Sequence, residues 1–212
     1  MKNKIAIVVL IIAVIVIAAG IGFYFIQKNN TPANYVEDTM PSDQFGTNNQ
    51  INSEQPQNKL VTDDFEISLP GGWRNTPPAL GASVMAVKVD EKTSGPAAQK
   101  INFKSYLAVS YDTLQGKSLS EYLRGVQNQL QQTISSVVFA QERDTTINGK
   151  PARAFEASFT QQGVNFKLLM VAVKGAGDDV WIISFNTLQN TWGEYQEAFS
   201  DIANSFNLKL KK

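Results

Sequence analysis

The hydrophobic positions divide the chain into three stretches of unlike pattern. From Ile5 to Ile26 the sequence IAIVVLIIAVIVIAAGIGFYFI carries no charged side chain. About 22 residues at a rise of roughly 1.5 Å cover about 33 Å, enough to cross a hydrocarbon core of roughly 30 Å. Its β-branched content would suit a strand in water, but in lipid each backbone amide must be satisfied within the segment, so a lone span is helical. Residues 27–58 lose all periodicity and turn rich in Asn, Gln, Ser, Thr and Pro. Such a stretch buries too little to offset its ordering entropy and reads as a flexible polar linker. From 59 to 212 the apolar residues recur with strand and helix periods, which predicts one folded domain.

Within that domain Phe65 to Leu69 alternates at period two and runs into Pro70-Gly71-Gly72-Trp73, a strand stopped by a turn. Val84 to Val89 is a second short apolar run. Ile101, Phe103, Leu107, Val109 and Tyr111 read as one side of a long strand, whose wetter side carries Asn102, Lys104, Ser110 and Asp112. Ser118 with Glu121 forms a capping box for a helix over Leu119 to Ile134. Val137 to Thr146 and Ala152 to Thr160 flank Asn148-Gly149, a strong hairpin signal that sets Asp144 opposite Arg153. Val164 to Lys174 and Val180 to Phe185 are apolar at successive positions, so both faces of the sheet are covered there. Gly175 to Asp179 joins them as a short loop. Thr191 with Glu194 forms a second capping box, opening a closing helix whose stripe is Tyr195, Phe199, Ile202 and Phe206.

Strand-to-strand steps in the second half are too short for helical crossovers, which makes the sheet mostly antiparallel. The pattern therefore predicts an α+β fold: a three-layer α-β-α sandwich with a mostly antiparallel sheet of about six strands, preceded by one transmembrane helix. A two-layer sheet with both helices on one side is the alternative.

Charge orients the first stretch. Lys2 and Lys4 precede the span, whereas Lys28 alone follows it before Glu37, Asp38 and Asp43. The excess of basic residues on the first side leaves residues 1–4 in the cytoplasm and residues 59–212 outside, a single-pass protein of the cell membrane. Its first partner is then the lipid bilayer, through residues 5–26. A cleaved signal peptide is the competing reading, since Ala18-Ala19-Gly20 offers small residues after a basic start; the apolar run continues past that point to Ile26, which favours a retained anchor.

Composition narrows the chemistry. Lys+Arg 19 and Asp+Glu 19 balance, which removes the basic excess that nucleic acid binding needs. His 0 and Cys 0 exclude an imidazole base, a thiol nucleophile, thiolate or imidazole metal ligands and disulfides. A Ser-x-x-Lys spacing does not occur. What remains are carboxylates and aromatics. Asp63, Asp64 and Glu66, and Asp178 with Asp179, are hard oxygen ligands without the spacing of a calcium loop. Glu142 and Glu156 on neighbouring strands could form the carboxylate pair of a hydrolase. Trp73 and Trp192, with Trp181, are candidates to line a ligand or partner groove. No catalytic residue, cofactor or metal site is assigned from these. The reading is a non-enzymatic domain that binds a protein, with a small-ligand or carbohydrate binder and a carboxylate hydrolase as alternatives.

FEISLPGGW at Phe65 to Trp73, LSEYL at Leu119, TTINGKPARAFEASF at Thr145 to Phe159 and TWGEYQEAFSDIANSF at Thr191 to Phe206 together resemble the PsbP-like family, named for an extrinsic subunit of photosystem II. The resemblance covers roughly Lys59 to Leu208. It implies a sandwich of the kind derived above and an accessory, assembly-type role, and it brings no catalytic signature.

Overall fold

The computed structural model describes residues 58–78 and 81–209. In chain order the elements are β1 (Asn58–Val61), β2 (Phe65–Leu69), β3 (Trp73–Thr76), β4 (Val84–Lys88), α1 (Pro96–Lys100), β5 (Tyr106–Thr113), α2 (Leu119–Thr133), β6 (Val138–Ile147), β7 (Lys150–Gln161), β8 (Val164–Lys174) and β9 (Asp179–Leu188). A short 3₁₀ turn at Gln189–Thr191, α3 (Trp192–Ser205) and β10 (Asn207–Leu208) complete the set. The predicted span 5–26 and the linker up to residue 57 lie outside the described residues. No described helix is long and apolar enough to cross a membrane.

Seven strands form one sheet in the order β3-β4-β5-β9-β8-β7-β6, and β1-β2-β10 form a separate three-stranded sheet. All pairings are antiparallel, as the short connections require. The successive apolar residues of β8 part by parity. Leu168, Met170 and Ala172 enter a core with Tyr122, Leu123, Val126 and Leu130 of α2, while Leu169, Val171 and Val173 enter a second core with Tyr195, Phe199 and Ile202 of α3. Each long helix thus covers its own face of the seven-stranded sheet, and the two-layer alternative is excluded. The small sheet lies on the α3 side, adding Phe65, Ile67 and Leu69 to that core. Phe65 stands edge-on to Trp181 at 5.1 Å and meets Phe206 at 5.0 Å.

Local signals behave as their chemistry dictates. The Ser118–Glu121 capping box closes in both directions, and α2 buries Tyr122, Leu123, Val126 and Leu130 at helical spacing. Asn148 (φ 46°) and Gly149 (φ 75°) make the two-residue turn between β6 and β7, where both central residues need positive φ. Asp144 faces Arg153 as predicted. Asn148 Nδ2 also donates to the Asn204 and Phe206 carbonyls at 3.1 and 2.8 Å, fastening the hairpin tip to the end of α3. At the Pro70–Trp73 turn a side chain on Gly72 (φ 78°) would run into the Lys88 ammonium and the Asp90 carboxylate.

Four expectations are corrected. The main sheet has seven strands, and β3 escaped notice because only Trp73 of its four residues is fully buried. The long strand from Ile101 does not exist: α1 precedes it, residues 101–102 form a turn, and β5 begins at Tyr106. Within β5 the expected wetter side is dry, since Ser110 and Asp112 are buried and Asp112 Oδ2 accepts the Tyr122 hydroxyl of α2 at 2.7 Å, whereas Asn102, ahead of the strand, is exposed. Thr191 makes no side-chain cap for α3, because its hydroxyl is engaged with Thr187 Oγ1 at 2.8 Å and the Leu188 carbonyl at 3.2 Å.

Coverage of both faces has a direct test. Leu168→Ala and Leu169→Ala, neighbours pointing opposite ways, should each lower unfolding stability by about 2–5 kcal/mol in denaturant titrations. A cost below about 1 kcal/mol for either would mean that its face is open to water.

Candidate functional site

Three places gather functional side chains, and the first two are interior locks. At one end of β7 and β8, Lys167 Nζ lies 3.0 Å from Glu156 Oε2 and 5.3 Å from the centre of the Trp192 ring. The pair is almost dry, with side chains 13% and 6% exposed. Trp192 meets Phe199 at 5.9 Å, so its ring is committed to Lys167 and to the core. Trp73 is 1% exposed and packs edge-on against Tyr195 and Phe199. The two tryptophans singled out for a groove thus belong to the α3 core or its border. The second lock runs from the loop before β5 to the start of α3. Glu91 accepts the Ser105 amide and hydroxyl, Ser105 Oγ accepts in turn from the Thr187 hydroxyl 2.7 Å away, and Thr187 is bonded to Thr191. Tyr195 adds its phenol to Glu91.

The carboxylates proposed as a hydrolytic pair are apart. Glu142 bonds Arg153 at 2.8 Å and Gln127 of α2, whereas Glu156 turns to the α3 face beside Lys167 and Trp192. With the sheet between them they cannot flank one substrate. Arg153 also holds Asp144 at 2.6 Å, and its guanidinium keeps the Glu142 carboxyl below the usual carboxylate range.

The third place is open. Where the small sheet meets the large one, a cavity of about 250 Å³ is lined by Asp64, Lys150, Asp179, Trp181, Leu208 and Lys209, with Gly175 and Ala176 leaving one wall bare of long side chains. Beside it Tyr111, 44% exposed, stands edge-on to Trp181 at 5.2 Å and donates its hydroxyl to Asp179 Oδ1 at 2.7 Å. The structure thereby joins one residue from each of the two acidic clusters read in the sequence. Asp63, Glu66 and Asp178 do not line the cavity; Glu66 faces Lys59 at 3.7 Å and Asp178 accepts the Gly116 amide at 2.8 Å. Among the described residues no three acidic groups are arranged to hold a metal ion. A larger neutral cleft of about 480 Å³, bordered by Ser94, Asn165, Gln189 and Asn190, lies at the β7–β8 turn.

Two outcomes follow from this geometry. Lys167→Met should cost about 3 kcal/mol in a denaturant titration by leaving Glu156 only the more distant Arg143, 4.0 Å away, and adding Glu156→Leu should restore most of it; equal costs for single and double variants would mean that the pair is solvated. The phenols of Tyr106, Tyr122 and Tyr195 are raised above the ordinary tyrosine value chiefly by burial, with Asp112 aiding the second and Glu91 the third. Tyr111 is raised by its bond to Asp179. Groups raised on folding stabilise fully below the unfolded value, and that contribution is lost as pH rises past about 10. Ultraviolet titration should therefore find these four phenols ionising late, together with alkaline unfolding. Free ionisation of all of them near pH 10, with the fold intact, would contradict the packing.

The chain matches no family model and none of the curated proteins. Among solved structures it is similar to LpqN of Mycobacterium tuberculosis, involved in cell envelope biogenesis, at 14% identity over 74% of this chain and 88% of that one, with a TM-score of 0.53. It is also similar to the cyanobacterial PsbP (CyanoP) of Synechocystis sp. PCC 6803, at 13% identity over 72% of this chain and 92% of that one, with a TM-score of 0.52. At these identities the likeness is one of architecture, and the chain has the PsbP-like fold.

Proposed function

We propose that this chain is a non-enzymatic accessory domain, held outside the cell membrane by residues 5–26 and acting by binding another protein. The interior gives the non-catalytic reading its support: Glu91, Asp112 and Glu156 are each engaged by hydroxyls, amides or a lysine, so among the described residues no buried carboxylate is left poised to move a proton to a substrate. LpqN, described as involved in cell envelope biogenesis, uses the same fold, in keeping with a position at an envelope.

The observation that carries partner binding is the outer edge of β6. This ten-residue strand pairs with β7 on one side and with no described strand on the other, and Val138 near its start is 65% exposed. A bulge between Ala140 and Arg143, with Gln141 at φ 53°, bends the strand and separates its first residues, Val138 to Ala140, from the regular ladder of Arg143 to Ile147. An extended segment of a partner could add there as an eighth strand, with backbone bonds for affinity and Val138 for selectivity.

Cross-linking on intact membranes of the originating cells, followed by capture of the full chain, should recover a reproducible protein partner. Val138→Lys with Ala140→Lys should abolish capture at unchanged melting temperature, because edge lysines block strand addition. Unchanged capture by that variant would overturn the edge reading, and no reproducible partner for the native chain would overturn the accessory reading.

A further inference from the structure

The cavity beneath Tyr111 differs from every other charged cluster described for this domain. Elsewhere, opposite charges on adjacent strands or turns find each other: Arg153 holds Glu142 and Asp144, Lys167 holds Glu156, Lys88 holds Asp90, and Lys59 faces Glu66. In the cavity Asp179 and the two lysines do not. Lys150, Lys209 and Asp179 converge on one space of about 250 Å³, yet Asp179 forms no ion pair within 4.0 Å with either lysine. The Lys150 side chain has no hydrogen bond or ion pair among the described residues. Lys209 reaches the Thr62 carbonyl, and Asp179 spends one oxygen on the Tyr111 hydroxyl. Opposite charges held close without neutralising each other form a dipolar receptor.

The lining sets the Asp179 carboxylate against two ammonium groups, Lys150 and Lys209. A lone anion drawn to the lysines is repelled by Asp179, and a lone cation meets the converse. Only a molecule with both charges at separate ends gains at each end. The cavity is smaller than the roughly 300–1,000 Å³ of sites for drug-sized ligands, which sets the ligand at about the size of an amino acid. The half-exposed Tyr111 ring beside Asp179 suits an ammonium, by charge and by its π face. Trp181 and Leu208 supply an apolar surface for a short side chain, and the side-chain-poor wall at Gly175 and Ala176 keeps the space open. From this arrangement we infer that the seam between the two sheets is a binding site for a small zwitterion, an amino-carboxylate, with its ammonium toward Asp179 and Tyr111 and its carboxylate toward Lys150 and Lys209.

This site is separate from the β6 edge, because Lys150 stands at the hairpin end of β7 and Val138 at the far end of β6. Failure of either idea leaves the other intact. The test uses the full chain in detergent micelles and follows the indole N–H resonance of Trp181, assigned from the spectrum of Trp181→Phe. The probes are the common free L-amino acids, with acetate and methylammonium as carriers of one charge each. At least one amino acid should shift the Trp181 signal saturably, with a Kd at least about tenfold below that of acetate or methylammonium. Lys150→Met, at an exposed position, and Asp179→Asn should each weaken that binding by about tenfold or more at unchanged melting temperature. If Asp179→Asn fails to fold, Lys150→Met decides alone. The inference is overturned if no amino acid moves the resonance, if either single-charge probe binds as tightly, or if the shift persists in Lys150→Met.

Discussion

The molecule depends on one constraint: β7, β8 and β9 are apolar on both sides, so neither face of the main sheet can be left to water. Alternate residues of a strand point to opposite faces, and the run from Leu168 to Val173 therefore demands two covers rather than one. A single long helix is available to each face. On one side α2 supplies Leu123, Val126 and Leu130; on the other α3 supplies Phe199 and Ile202, and the small sheet extends its reach with Phe65, Ile67 and Leu69. The small sheet widens the cover that α3 alone gives to its face of the seven strands.

Polar groups follow from the same constraint. A sheet buried on both faces leaves polar side chains at its ends with little water, so each needs an internal partner. Glu91 with Ser105, Thr187 and Tyr195 answers this at one end of β5 and β9, and Asp112 with Tyr122 answers it near the other end of β5. These groups join loops and helix ends to the sheet. They are occupied by architecture, which is why the open charges at the seam stand out.

Much of the scaffold was legible in the sequence because it is written in local codes. The Ser118–Glu121 box, the Asn148-Gly149 turn and the unbroken apolar run of β8 each fix structure within a few residues. Short elements were not legible: α1 buries only Ala98, and β3 holds its place by pairing with β4 rather than by any pattern of its own. At Ser110 and Asp112 polarity does not mean exposure, because their burial is decided by a helix that follows them in the chain. The seam cavity was invisible for a different reason. Asp64, Lys150, Asp179 and Lys209 are far apart along the chain and meet only when the two sheets come together; the acidic residues could be noticed, but no spacing links them to the lysines.

The pairing order β1-β2-β10 carries a consequence for how the protein comes into being. Residues 207–208 hydrogen-bond beside Phe65 and Glu66, so the second and last strands of the domain are neighbours although nearly the entire domain separates them in the chain. A polypeptide delivered from its N-terminus can form the hairpins of the large sheet as they emerge, but the α3-side core cannot seal until Phe206 and Leu208 arrive. Until that moment Phe65 and Trp181 lack their cover and are greasy bait for aggregation or a chaperone. Maturation of this domain is thereby tied to completion of synthesis through Leu208.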